Sequence, residues 1–205
     1  MNLPNKLTLG RLFLTVIFVI VTANPHGWGA GWAYTTGMLI FGVASFTDYL
    51  DGYLARKYQL ITSFGKLMDP LADKVLLCAA FVLLSETPLT PEIGSILPGW
   101  VTVTVLAREF LVTGLRLVAS AQGYVMAADT LGKHKTVWQI ITASYFLVFL
   151  ASQEAAMAWI RPLFSVKWLG PRELGWVLII MTLLTTIVSG WRYFWKNRAL
   201  VLKEM

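Results

Sequence analysis

The sequence predicts an all-α polytopic membrane protein with about six transmembrane helices and a short N-terminal interfacial segment. Three observations carry that expectation. Hydrophobic residues make up 57% of the 205-residue chain and charged residues only 14%, and the mean hydropathy of +0.64 is far above that of a soluble domain. Apolar stretches close to the roughly 20 residues that cross a bilayer run approximately Leu7–Ala23, Gly31–Ala55, Leu67–Leu84, Leu97–Ala119, Thr136–Ala156 and Leu174–Trp195. Of the seventeen Lys and Arg residues, only Arg161, Lys167 and Arg172 fall on one side of these stretches. The positive-inside rule then puts both termini in the cytoplasm.

The connections are short, with no Ser- or Gly-rich linker and no repeat, so residues 1–205 read as one domain. The first apolar run lacks a small-residue cleavage site followed by a soluble domain, and is expected to stay as the first span. A net charge of +6 without a soluble domain to carry a basic face argues for membrane topology and against nucleic acid. Cys78 is the single cysteine. It excludes an intramolecular disulfide framework and reads as packing.

The chain opens with Asn2-Leu-Pro-Asn5-Lys6-Leu7-Thr8-Leu-Gly-Arg11, polar groups set among apolar ones, as expected of an interfacial lead-in to the first span. Asn5, Thr8 and Arg11 recur at helical spacing; a capping Asn and a snorkelling Arg would also account for two of them. The loop around Asn24-Pro25-His26-Gly27-Trp28 has no cation and suits a membrane interface. The second span ends in Asp48-Tyr-Leu-Asp51-Gly52-Tyr-Leu-Ala55-Arg56, and the third begins with Gly65-Lys-Leu-Met-Asp69-Pro-Leu-Ala-Asp73. Spacings of three and four put each aspartate pair along one helix face. A short linker, Tyr58 to Gly65, lets two antiparallel helices bring the pairs together. Four carboxylates converging on one cavity repel unless neutralised, and oxygen-only ligands suit Mg²⁺ or Mn²⁺. Helix-end aspartates paired with Arg56, Lys57 and Lys74 are the structural alternative.

The fourth span carries Arg108, Glu109, Thr113 and Arg116, and ionisable groups inside a span usually face a bundle interior or a wet cavity. A structural Arg108–Glu109 pair is the plainer reading. Gly132-Lys133-His134-Lys135-Thr136 opens the fifth span with two cations beside a hydroxyl, suited to a phosphate. The last span ends in Trp191-Arg192-Tyr193-Phe194-Trp195-Lys196-Asn197-Arg198, an aromatic and basic interface anchor to which no chemistry is assigned.

The pattern D-x2-D-G-x2-A-R-x8-G-x3-D-x3-D is matched at each of its eight fixed residues from Asp48 to Asp73, and it resembles the signature of the CDP-alcohol phosphotransferase family of membrane enzymes. The resemblance implies a CDP-diacylglycerol site drawn from Asn5, Thr8, Asp48, Asp51, Gly52, Arg56, Thr62, Gly65 and Asp69. It supports the metal set of Asp48, Asp51, Asp69 and Asp73, with Asp73 as candidate general base. The pieces A-R-E-x3-T-x2-R and G-K-x-K-T are similar to the branch of that family which uses glycerol-3-phosphate. That similarity implies an acceptor site of Arg108, Arg116, Lys133 and Lys135, products phosphatidylglycerophosphate and CMP, and a homodimer; a bacterial inner membrane is the expected location, and the positive-inside rule puts the four aspartates at its cytoplasmic side. Another acceptor, such as inositol phosphate, serine or phosphatidylglycerol, stays open within the family. From other classes, a divalent-cation transporter or a lipid-binding scaffold also stays open.

Overall fold

The computed structural model describes residues 3–23, 31–58, 63–90, 94–121 and 130–198; within these, the side chains at 3–6, 49–58, 63–71, 73, 90, 121, 130 and 131 lie outside the description. The described chain is almost entirely helical. Six helices exceed twenty residues: α1 (Leu3–Ala23), α2 (Ala33–Tyr58), α3 (Ser63–Glu86), α4 (Gly99–Ala121), α5 (Thr130–Ser152) and, after a short α6 (Arg161–Ser165), α7 (Glu173–Lys196). They overlap the six apolar stretches, with ends displaced by up to six residues. α1 is continuous from Leu3, so the expected interfacial segment is the first turns of α1 and not a separate element. Pro4 is tolerated there because first-turn N–H groups have no intrahelical partner.

By length and composition, two described stretches, Gly132–Ser152 and Lys167–Lys196, suffice to cross a membrane, and Leu7–Ala23 is a shorter apolar helix. The others are diluted by the charges already singled out: Asp48, Asp51 and Arg56 on α2, Asp69, Asp73 and Lys74 on α3, and Arg108, Glu109 and Arg116 on α4.

The helices pack in a ring: α1 on α2, α2 on α5, α5 on α7, α7 on α4, α4 on α3 and α3 back on α1, with α3 and α5 also touching across the middle. Phe18, Phe41, Leu76, Phe81, Leu84, Val101, Phe146, Leu147 and Ile179 fill the core. Close approach depends on glycine at two crossings, since a Cβ on Gly37 would collide with the Thr22 methyl and one on Gly175 would lie 2.8 Å from Phe146. Hydroxyls tie helices together where apolar packing discriminates little: Thr142 and Thr182 Oγ1 lie 2.8 Å apart between α5 and α7, and Thr102 donates to the Phe81 carbonyl at 3.2 Å.

One end of the ring carries the connecting structure, including a small hairpin of β1 (Pro88–Thr90) and β2 (Gly94–Ser95) and the helical segment 155–169. Buried Glu154 caps α2 from this end, accepting from the Tyr34 N–H at 2.7 Å, the Thr35 N–H at 2.8 Å and the Thr35 hydroxyl at 2.6 Å. Arg161 closes the C-terminus of α5 by donating to the Ser152 and Gln153 carbonyls at 3.2 and 2.7 Å. The opposite end gathers the start of α1, the end of α2, the start of α3, the end of α4, the start of α5 and the end of α7. The candidate residues on the described helices lie toward that end, with Arg108 near the middle of α4.

Candidate active site

Asp48 and Asp51 lie in the last turns of α2, and Asp69 and Asp73 in the first turns of α3. Only four residues, 59–62, separate the two helices, which keeps their ends within about 18 Å by chain reach. Of the four aspartate side chains, Asp48 is described: its Oδ1 pairs with the Arg11 guanidinium, and the carboxylate keeps 39% of its surface. The side chains of Asp51, Asp69 and Asp73, and of Asn5 and Arg56, lie outside the described residues, as does Thr62 altogether; Gly52 and Gly65 are placed on α2 and α3. Thr8 is buried on α1, one turn before Arg11.

Arg11 decides between the two readings of its position. A snorkelling arginine would lie along the helix with its head in water, whereas this one is 1% exposed and reaches from α1 to the aspartate helix. The pair gives Asp48 a fixed partner. It also means that Asp48→Asn strands a buried cation, so that substitution tests folding as well as chemistry.

The second half of the site is a cavity of about 400 Å³ between α3, α4 and α5. Its α4 wall includes Val105, Glu109, Val112 and Arg116, spaced four, three and four along one helix face, with Leu106 and Arg108 beside them. Lys74 and Cys78 come from α3, and Gly132, Lys133, Lys135, Thr136 and Gln139 from α5. The four residues expected at an acceptor phosphate, Arg108, Arg116, Lys133 and Lys135, thus line one cavity. Lys74 joins them, one residue beyond Asp73, so the cavity begins where the aspartate motif ends.

Glu109 organises this wall. It is 7% exposed, and its Oε1 accepts from Lys135 Nζ, from Gln139 Nε2 at 3.4 Å, and faces Arg108 Nη1 at 3.6 Å. The sequence-adjacent Arg108–Glu109 pair is therefore the longer of its two ion pairs, and the shorter comes from α5. Arg108 also donates to Ser189 Oγ of α7 at 3.2 Å, and a Cβ on Gly190 would lie 3.1 Å from its Cγ. Arg116 Nε donates to the Tyr193 hydroxyl at 3.2 Å, with its guanidinium 5.4 Å from that ring's centroid. Lys74 donates to Thr113 Oγ1, which in turn donates to the Glu109 carbonyl at 2.6 Å.

Lys74, Gln139, Ser189 and Tyr193 were not singled out as site residues by sequence reasoning. A signal existed for Lys74, a charge adjacent to Asp73 at the edge of the apolar run that follows it. None existed for Ser189 and Tyr193, which belong to a helix read as an anchor.

Oxygen donors on two adjoining helix ends beside a cation-lined cavity suit a phosphate-rich substrate, and sequence comparison points the same way. The family model for CDP-alcohol phosphatidyltransferase matches residues 1–188. A Bacillus subtilis (strain 168) protein named CDP-diacylglycerol–glycerol-3-phosphate 3-phosphatidyltransferase is 41% identical over 204 residues, covering 96% of this chain and 95% of the relative. A Rickettsia bellii protein of the same name is 34% identical over 195 residues, covering 94% and 93%. An Arabidopsis thaliana relative, carrying that name with the suffix 2, is 34% identical over 168 residues, covering 78% and 69%. With the whole aspartate motif in place and similarity running from end to end, the chain belongs to the CDP-alcohol phosphatidyltransferase family.

Proposed function

We propose that the chain transfers the phosphatidyl group of CDP-diacylglycerol to sn-glycerol-3-phosphate, giving phosphatidylglycerophosphate and CMP, the activity its relatives are named for. The observation that most supports this acceptor is the charge of the cavity: Lys74, Arg108, Arg116, Lys133 and Lys135 face one another across it against the Glu109 carboxylate. A dianionic phosphate is the small acceptor group that such a wall recognises. Serine, a zwitterion, offers it no dianion.

The donor set fits a hard divalent cation, because aspartates offer only oxygen and Asp48 keeps exposed surface while paired with Arg11. Asp48, Asp51, Asp69 and Asp73 would hold Mg²⁺ or Mn²⁺, which when bound neutralises the pyrophosphate and the departing nucleotide phosphate. Asn5, Thr8, Gly52, Arg56, Thr62 and Gly65 are assigned to CDP-diacylglycerol, with Arg56 and Thr62 on phosphate oxygens and Gly52 allowing close approach. Arg108, Arg116, Lys133 and Lys135 seat the acceptor phosphate and so orient its free hydroxyl. Asp73 takes the hydroxyl proton as that oxygen bonds to the phosphatidyl phosphorus. The bond from that phosphorus to the CMP phosphate oxygen breaks, and CMP leaves with the electron pair.

In this reading the chain is one domain, all six long helices cross the membrane, and the site end faces the cytoplasm of a bacterial cell. Twenty-one to twenty-six residues span about 31–39 Å against a hydrocarbon core of about 30 Å. Large apolar side chains are exposed on the outside of the ring, among them Phe13, Leu39, Phe110 and Leu184. A homodimer is part of the same proposal.

The test is release of CMP from CDP-diacylglycerol by purified protein. It is expected to require glycerol-3-phosphate, to stop in EDTA and to return with Mg²⁺ or Mn²⁺. Turnover with inositol phosphate or serine in place of glycerol-3-phosphate would reassign the acceptor. Full turnover in chelator would remove the metal. Metal flux into proteoliposomes without CMP release would replace the transferase by a transporter.

A further inference from the structure

We propose that the site end of α7 is a binding site for an anionic phospholipid, with the headgroup phosphate held by Arg192, Lys196 and Arg198 and the acyl chains running along the outward stripe of the helix. This site lies outside the cavity and uses none of the residues assigned to the reaction. α7 is two-sided over its last turns. Ser189 and buried Tyr193 face inward and hold Arg108 and Arg116, whereas Trp191 and Trp195 face outward at 66% and 55% exposure.

The two indoles stack, with centroids 5.9 Å apart and planes at 21°, and the Arg198 guanidinium lies 4.3 Å from the Trp195 ring centroid. Beside them is a hollow of about 410 Å³ lined by Trp191, Arg192, Trp195 and Lys196. Three cations within seven residues therefore share one exposed surface.

What selects a phospholipid is the surface leading to that hollow. Val177, Ile180, Leu184, Ile187 and Val188 are all exposed and recur at helical spacing, ending at Trp191 and Trp195. From Leu184 to Trp195 the helix rises about 16 Å, comparable with an acyl chain. One stripe thus passes from aliphatic to aromatic to cationic, in the order of chain, glycerol region and phosphate in a lipid. A soluble anion would use the cations but leave the aliphatic stripe bare.

The full chain in phosphatidylcholine vesicles, doped at equal mole fraction with brominated phosphatidylglycerol or brominated phosphatidylcholine, tests this by tryptophan quenching. Subtracting the emission of the Trp191→Phe/Trp195→Phe variant isolates the two indoles. Their emission is expected to be half-quenched at about five- to tenfold less brominated phosphatidylglycerol than phosphatidylcholine. Arg192→Gln/Lys196→Gln/Arg198→Gln should bring the two curves together, and Arg198→Gln alone should narrow the gap. Ionic strength near 1 M, where the screening length is about 3 Å, should close it without any substitution. Equal quenching by both lipids in the unsubstituted chain would reduce the stripe to ordinary annular contact and overturn the proposal. So would a preference that survives the triple substitution. Neither readout depends on transfer activity, so failure of the transferase reading leaves this result standing, and the reverse.

Discussion

Replacing Glu109 by Gln removes the negative charge at the centre of the cavity while keeping the size of the side chain. The Arg108–Glu109 separation of 3.6 Å corresponds to about 4–5 kcal/mol of gross attraction at an effective dielectric constant of about 20. Lys135 is closer still and only 6% exposed at its side chain. Removing one partner of a buried ion pair costs about 3–5 kcal/mol, because the remaining charge stays behind uncompensated. The cavity admits water, which places Glu109→Gln at the lower end, about 3 kcal/mol, or about 6–12 °C in Tm for a chain of this size. A dianionic phosphate entering the cavity then takes over the role of the lost carboxylate. The Tm gain from saturating glycerol-3-phosphate should therefore be larger in Glu109→Gln than in the unsubstituted protein, measured by thermal unfolding in detergent. A glutamate that only fills space would show neither the loss nor the enhanced recovery, because Gln keeps its size. Wild-type Tm, or an equal ligand-induced gain in both proteins, would refute the assignment of Glu109 as counter-ion to the acceptor cations.

Tyr193→Phe keeps the ring under Arg116 but removes the 3.2 Å hydrogen bond. A loss of about 1 kcal/mol should raise KM for glycerol-3-phosphate about fivefold and leave KM for CDP-diacylglycerol unchanged in steady-state assays. Asp73→Asn keeps one ligand oxygen but cannot take a proton, so kcat should collapse and stay low at saturating Mg²⁺; recovery of turnover there would leave Asp73 a ligand and not the base. Glu154→Ala deletes three hydrogen bonds at the far end of α2. Thermal unfolding should start about 5 °C or more earlier, from a loss of about 2 kcal/mol or more, with kcat per folded molecule unaltered.

Helix positions were legible because a bilayer demands long apolar runs, and the runs from Leu7 to Trp195 stand out from the polar connections without any knowledge of packing. Arg108, Arg116, Lys133 and Lys135 were legible as a group for a related reason, since charges within or beside spans need a shared polar site. What the sequence concealed are pairings between helices distant in the chain. Nothing local tells that Arg11 turns inward to Asp48 instead of snorkelling, because both conformations have the same periodicity and only the neighbouring helix distinguishes them. The same holds for Ser189 and Tyr193. Their helix carries an anchor signature at its end, and that signature describes its outward face while the inward face supports the cavity. Glu109 looked like half of a local pair, and only the placement of α5 beside α4 gives it Lys135.

The cap on α2 ties the structure to the order in which the chain is made. The amides of Tyr34 and Thr35 receive their acceptor from a residue 120 positions later. At about 5–20 residues per second, they emerge about 6–24 s before Glu154 does. Throughout that interval these two amides lack this acceptor, so the cap of α2 is completed only once α5 has been made. A chain truncated before residue 154 would carry the complete motif on a helix whose first turn lacks its cap.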